Sequence, residues 1–283
     1  MNASTPYDAL FDDDSEALFA VATHGGALAT VTKIEGSWSR RLGAQLAILP
    51  DGTTRGSLAD GCLERALAAE AMGATAPKML RYGAGSPFVD IRLPCGSGIE
   101  VWLDPAPDKV KIAQAVTELS ARRPATLTLV NGFIRNYHPK LRLVILGSGP
   151  EVRALAELAD AQAITVIRAA PSGEMGGIAL GLGQIPDITI DPWTAIAVLF
   201  HDHEWERAIL PWALGSGAFY VGAQGGAGAR ENRQTALREA GLSAGQLHRL
   251  KSPIGLFTSA RSPRVLALSV LAEIVAGYEG IVG

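Results

Sequence analysis

The chain has 283 residues, 48% of them hydrophobic and 19% charged, with a formal net charge of −3. That composition sustains packed cores and excludes a disordered chain, and its slight acidity gives no global attraction to nucleic acid or an anionic membrane. No uninterrupted apolar run reaches spanning length, the longest, over residues 265–276, being broken by Ser269 and Glu273.

The acidic start, with Asp8, Asp12, Asp13, Asp14 and Glu16, lacks the basic-then-apolar order of a secretion signal. Two cysteines suit free thiols in a reducing compartment, so a cytoplasmic protein is expected. Residues 14–23 read as a helix stopped by Gly25-Gly26, and residues 28–34 alternate as a strand. A second strand over 44–49 turns through Pro50-Asp51-Gly52 into a third over 54–58. Asp60 suits the N-cap of a helix over 61–72 that Gly73 closes.

Cys62 then falls in a first helical turn, where unpaired N–H groups and the positive end of the dipole are expected to favour a thiolate. Strands follow over 78–82, 88–93 and 99–104, and the loop over 94–98 carries Cys95 at its tip. Each cysteine has a glycine beside it, Gly61 and Gly96, which leaves the backbone approachable. Two thiols facing one hollow are the expectation. A helix near 108–121, a strand near 125–130 and a polar exit through Asn136-Tyr137-His138-Pro139 complete this half.

From residue 141 the pattern changes to alternating strand and helix, the mark of a doubly wound parallel sheet. Strand 141–146 enters Gly147-Ser148-Gly149, with Pro150 at the first position of a helix whose apolar face is Val152, Leu155, Ala156 and Ala159. Further strands are expected over 163–167, 187–190, 195–200 and 218–224, and Ser262-Pro263 opens a last helix that Gly277 ends. The whole reads as an α/β chain: a small α+β domain over 1–120, a linker over 121–140, and a Rossmann-like domain over 141–283.

The dinucleotide fingerprint is partly met. Gly147 and Gly149 take its first two glycine positions, Val152 its third, and Arg168 stands where an acid is usual, which leaves NADP open. Arg40-Arg41 offers two cations to a phosphate. His201-Asp202-His203-Glu204 follows a strand end, as a polar helix start or a metal-binding group.

Several motifs together resemble the XdhC/CoxI family, accessory proteins that mature xanthine dehydrogenase and related molybdenum hydroxylases. They are Ala29-Thr30-Val31 through Gly36-Ser37-Trp38-Ser39-Arg40-Arg41-Leu42-Gly43-Ala44, then Gly56-Ser57-Leu58 through Gly61-Cys62-Leu63-Glu64, and Leu93-Pro94-Cys95-Gly96-Ser97-Gly98-Ile99-Glu100. Ser252-Pro253-Ile254-Gly255-Leu256 and residues 267–274 are similar to the family's closing segment. Asp60 stands where the family usually has a second glycine.

The resemblance implies a dimer that binds the molybdenum cofactor, protects its sulfurated form and delivers it to a xanthine dehydrogenase-type apo-enzyme. A cysteine desulfurase is the implied sulfur donor, and the chain is a maturation chaperone rather than an enzyme. Cys62 and Cys95 are then expected to hold the metal–sulfur end, and Arg40 and Arg41 to meet the phosphate. Two other readings remain: an NADP-dependent oxidoreductase using Gly147, Ser148, Gly149 and Arg168, and a scaffold that binds no cofactor.

Overall fold

A computed structural model describes residues 13–59, 61–83, 86, 98–171, 173, 176–257 and 260–282. The chain divides into two compact units, Met1–Pro139 and Lys140–Gly283. The first holds α1 (Asp13–His24), β1 (Ala27–Glu35), β2 (Gln45–Ile48), β3 (Thr54–Gly56), α2 (Cys62–Met72), β4 (Lys78–Gly83), β5 (Gly98–Asp104), α3 (Lys109–Ser120), β6 (Ala125–Thr128) and β7 (Ile134–Tyr137). Five strands form an antiparallel sheet in the order β3-β2-β1-β5-β4, and β6 pairs with β7 as a hairpin. The expected strand over 88–93 lies outside the described residues.

Period-two alternation along β1 explains the layering. Ala27, Ala29 and Val31 join Leu46, Ile48, Leu63, Leu67 and Val101 on the face covered by α2. Leu28, pointing the other way, packs with Ala17, Leu18, Ile112 and Leu127 beneath α1, α3 and the hairpin. Gln45 is buried on that second face. Its Nε2 donates to Thr30 Oγ1 at 2.9 Å, and its Oε1 accepts from the Tyr137 hydroxyl at 2.6 Å.

That contact corrects the expected organisation. The stretch read as a linker over 121–140 is mostly the β6–β7 hairpin, and the first two residues of its polar exit, Asn136 and Tyr137, end strand β7. Ala125, Leu127 and Tyr137 sink into the first unit's core, so the division falls after Pro139 rather than at residue 120.

The second unit holds β8 (Arg142–Gly147), α4 (Pro150–Ala161), β9 (Thr165–Pro171), β10 (Ile178–Leu180), β11 (Thr194–Leu199), α5 (Glu206–Gly215), β12 (Tyr220–Ala223), α6 (Ala227–Glu239), α7 (Ala244–His248), β13 (Leu250–Lys251) and α8 (Pro263–Val282). All its strand pairings are parallel, in the order β10-β9-β8-β11-β12-β13. This is the doubly wound Rossmann order, reversing between β8 and β11. Those two strands are buried on both faces, as their unbroken apolar sequences require.

Three expectations shift. The stretch 187–190 is not a strand, and Ile178–Leu180 takes the sheet position beside β9 instead. Helices α5, α6 and α7 and the short β13 fill segments the sequence left unassigned. Gly277 does not end α8, which runs to Val282 with Gly277 against the Phe219 ring. By length and hydropathy alone α8 is apolar enough to cross a membrane. One face, with Ala267, Val270, Leu271, Ile274 and Tyr278, is instead packed in the core shared with α4.

An ion pair fixes the second half of this sheet's cover. Arg233 of α6 donates through Nε and Nη2 to the two Glu206 oxygens at 2.7 Å each, both side chains being almost wholly buried. Its remaining donors reach Ser252 Oγ and the Gln224 carbonyl. Removing one partner strands a buried charge, so Arg233→Ala is expected to cost about 3–5 kcal/mol in chemical denaturation. A Glu206→Ala/Arg233→Ala double variant should lose less than the sum of the single changes. In the first unit Tyr137→Phe leaves Gln45 Oε1 unsatisfied, and a loss of about 1–2 kcal/mol is expected by the same measurement.

Candidate functional site

The family-like Gly-Cys-Leu-Glu motif is built around a buried carboxylate. Glu64 sits in the first turn of α2, and is 8% exposed. Its Oε1 accepts from the backbone N–H groups of Leu58 and Ala59 at 2.8 and 2.6 Å, and its Oε2 from that of Gly61 at 2.8 Å. Burial alone raises its pKa, but the backbone donors outweigh that and hold it below the ordinary value of 4.5.

The N-cap is Gly61, in the left-handed region at φ 102°, where a glycine is favoured. Helix α2 therefore starts at Cys62, one residue later than expected. Asp60, read as the cap, lies outside the described residues. Placing Cys62 as the first helical residue leaves its thiol exposed at the helix start, with an Arg65 Nη2 donor 3.3 Å from Sγ. Among the described residues an added Cβ at Gly61 would meet only Arg65 Nη1 within 4 Å.

Arg40 is tied to the same turn. Its Nη2 donates to Ser57 Oγ at 3.0 Å, and Ser57 in turn donates to the Ala59 carbonyl. Among the described residues its buried Nε has no hydrogen-bond partner. Arg41 is exposed. Structure thus joins Arg40, Gly61 and Cys62 through one short loop. Cys95 and Gly96 lie outside the described residues. Sequence reasoning placed Glu64 in the motif but missed its role. The signal was present, since an acid three residues after an N-cap reaches back to the cap's N–H.

In the second unit Gly147 is required by strand packing, because an added Cβ would lie 2.6 Å from the Leu199 carbonyl oxygen. Val152, in place of a third glycine, is buried in the core against that same close approach. Gly149 caps α4, Ser148 is half-buried, and Glu151 Oε2 stands 3.6 Å from where a Gly149 Cβ would be. A carboxylate there suits the helix dipole and opposes a diphosphate at the turn. Arg168 lies mid-strand, opposite Ile145, and not at the carboxyl end of β9 where it was expected to meet a 2′-phosphate.

The segment His201-Asp202-His203-Glu204 does not converge. His203 Nδ1 is 3.1 Å from Glu206 Oε1, Asp202 accepts from the Glu204 N–H, and Glu204 pairs with Arg207. Among the described residues no group of three or more His, Cys, Asp or Glu side chains is placed to hold a metal.

Glu64 makes the turn pH-sensitive with a definite sign. Its folded pKa is depressed, so its contribution is full above 4.5 and is lost as the pH falls below that value. Glu64→Gln puts an amide N–H₂ against a backbone donor and is expected to cost roughly 2–3 kcal/mol at neutral pH. Denaturation series across the acid range should show a flatter pH dependence for this variant than for the wild type.

Comparison with known proteins bears on both units. Residues 143–274 match the XdhC Rossmann domain, and residues 21–83 match the XdhC and CoxI family. The molybdenum cofactor insertion chaperone PaoD of Escherichia coli strain K12 is 32% identical, over 95% of this chain and 90% of that protein. A Bacillus subtilis strain 168 protein described as a probable xanthine dehydrogenase subunit is 25% identical, over 97% of each chain. A crystal structure described as a xanthine dehydrogenase from Bacillus halodurans shares the fold with a TM-score of 0.74, at 21% identity over 95% of this chain and 96% of that one. With the Cys62 turn inside one matched segment and the Rossmann strands inside the other, the chain belongs to the XdhC/CoxI family.

Proposed function

We propose that the protein is a maturation chaperone that carries the molybdenum cofactor to a xanthine dehydrogenase-type enzyme. The observation that carries this reading is the exposed Cys62 thiol, on a turn locked by Glu64, with Arg65 at its sulfur and Arg40 anchored beside it. The relative named as a molybdenum cofactor insertion chaperone supports the cargo. A soft metal–sulfur centre suits a thiolate, and the pterin phosphate suits guanidinium donors.

The residues fit that cargo. Among the described residues the buried Arg40 Nε lacks a hydrogen-bond partner, and a Cβ at Gly61 would meet only Arg65 Nη1 within 4 Å. Cys62 would hold the metal–sulfur end, with Cys95 joining it on the strength of the family motif. Arg40, Arg41 and Arg65 would meet the anionic end, and Gly61 and Gly96 would let the backbone approach. Holding the sulfurated form and releasing it to the apo-enzyme requires no net turnover. A cysteine desulfurase as sulfur donor, a homodimer and a cytoplasmic location complete the proposal.

The oxidoreductase reading gains nothing from the glycine turn. Glu151 places a negative charge against it, and Arg168 is not at the strand end that a nucleotide phosphate would reach.

The test is retention of sulfurated cofactor by purified protein, followed by activation of apo-enzyme. Cys62→Ser should keep its melting temperature and lose about tenfold or more in retention, by loss of a sulfur–metal contact. Arg40→Ala should weaken retention by about three- to tenfold, as expected for one charge-assisted contact. Unchanged retention in Cys62→Ser would sink the proposal.

A further inference from the structure

The β6–β7 hairpin reaches the segment that carries the two adjacent arginines. Alternate residues of β7 share a face, so Arg135 and Tyr137 lie on the side of their partners Leu127 and Ala125, toward the first unit's core. Tyr137 is buried there, and its hydroxyl donates to Gln45 Oε1. Arg135 is half-buried, with its Cζ over the Tyr137 ring, 4.9 Å from the ring centre. Its Nη1 donates to the Asn136 carbonyl at 2.7 Å.

The other contact of this side chain is Gly43. A Cβ built on that glycine would lie 2.8 Å from Arg135 Cδ, 3.3 Å from Nε and 3.7 Å from Cζ, so the guanidinium arm runs across it. Gly43 has φ 86° and is the third residue of a tight turn, closed by the Ala44 N–H on the Arg41 carbonyl. The Gly43 N–H and the Ala44 carbonyl both bond Val31, which joins the turn to β1. Arg41 opens this turn, and Arg40 precedes it.

Consecutive like charges repel, and on a surface loop their side chains spread over many rotamers. Here the pair is held from two sides. Ser57 Oγ takes Arg40 Nη2, and Arg135 covers the turn that begins at Arg41. An arginine suits that second task, because a planar guanidinium lies flat on a ring and along bare backbone where a lysine ammonium does not.

We infer that Arg135 is a positioning residue for the Arg40-Arg41 pair. Laid on the Tyr137 ring and across Gly43, it sets the register in which the two arginines meet the anionic end of the ligand, without touching the ligand itself. The ligand is that of the cofactor reading above, on which this inference rests.

The test measures retention of sulfurated molybdenum cofactor by the full-length protein, beside melting temperature and amide exchange at Ala44. Arg135→Lys keeps the charge and loses the plane; Arg135→Met loses both. Each should weaken retention by about two- to tenfold, as loss of preorganisation in a side chain or two does. Each should also speed exchange of the Ala44 N–H. In an Arg40→Ala/Arg41→Ala background neither should weaken retention further, since Arg135 acts through those residues. Gly43→Ala drives a methyl into the same contact from the opposite side and should weaken retention similarly, an independent check if an Arg135 variant melts early. Wild-type retention in Arg135→Lys and Arg135→Met overturns the inference, and a lowered melting temperature alone marks a merely structural role. Retention lost in Arg135→Met but kept in Arg135→Lys marks a direct charge contact, and a loss that persists in the Arg40→Ala/Arg41→Ala background marks an independent one; either overturns it. Those results leave the chaperone reading standing where Cys62→Ser and Arg40→Ala still weaken retention. Normal retention in Arg40→Ala/Arg41→Ala defeats this inference together with the assigned role of the arginines, while Cys62→Ser decides the chaperone reading separately.

Discussion

The carboxylate of Glu64 is the constraint on which the first unit's chemistry depends. Three backbone N–H groups converge on it, from Leu58, Ala59 and Gly61. A five-residue turn would otherwise be free to sample many conformations, at a cost of about 1–2 kcal/mol per residue to order. Glu64 can act this way because Leu63 and Leu67, its neighbours on α2, are wholly buried against the antiparallel sheet. Sheet fixes helix, helix fixes carboxylate, and carboxylate fixes the turn. Cys62 is presented to solvent while its helix neighbours Leu63 and Glu64 are anchored inward.

The second unit solves a different problem with the same materials. Its glycine turn after β8 has the geometry of an anion cradle, and Glu151 brings a negative charge against it. The turn after β12 lines a cavity of about 610 Å³ together with Arg230. Arg233, three residues further along α6, points inward to Glu206 and to the Gln224 carbonyl, so it fixes the backbone that carries Gln224.

Some of this was legible in the sequence because local periodicity and local chemistry coincide. The unbroken apolar strands β8 and β11 could only be buried on both faces, and Gly147-Ser148-Gly149-Pro150 could only be a strand-to-helix turn. Thr30, Gln45 and Tyr137 show the opposite case. A polar pair on two strands and a tyrosine far along the chain look like surface residues until the fold closes them together. For that reason the hairpin reads as a linker in the sequence. Arg168 was misplaced for a related reason: strand ends are set by pairing, and β9 continues to Pro171 because β10 extends its edge.

What the sequence determined by itself is the α/β class, the two-part organisation and the thiol at the head of a helix, since each follows from short-range spacing, glycine placement and hydrophobic period. Only the tertiary structure decided where the parts divide, that Glu64 organises the Cys62 turn with Gly61 as the cap, and that Glu151 and Gln224 line one cavity. Those outcomes depend on which groups lose water together when distant segments pack, and the free energy of that loss is not a property of any one stretch of chain.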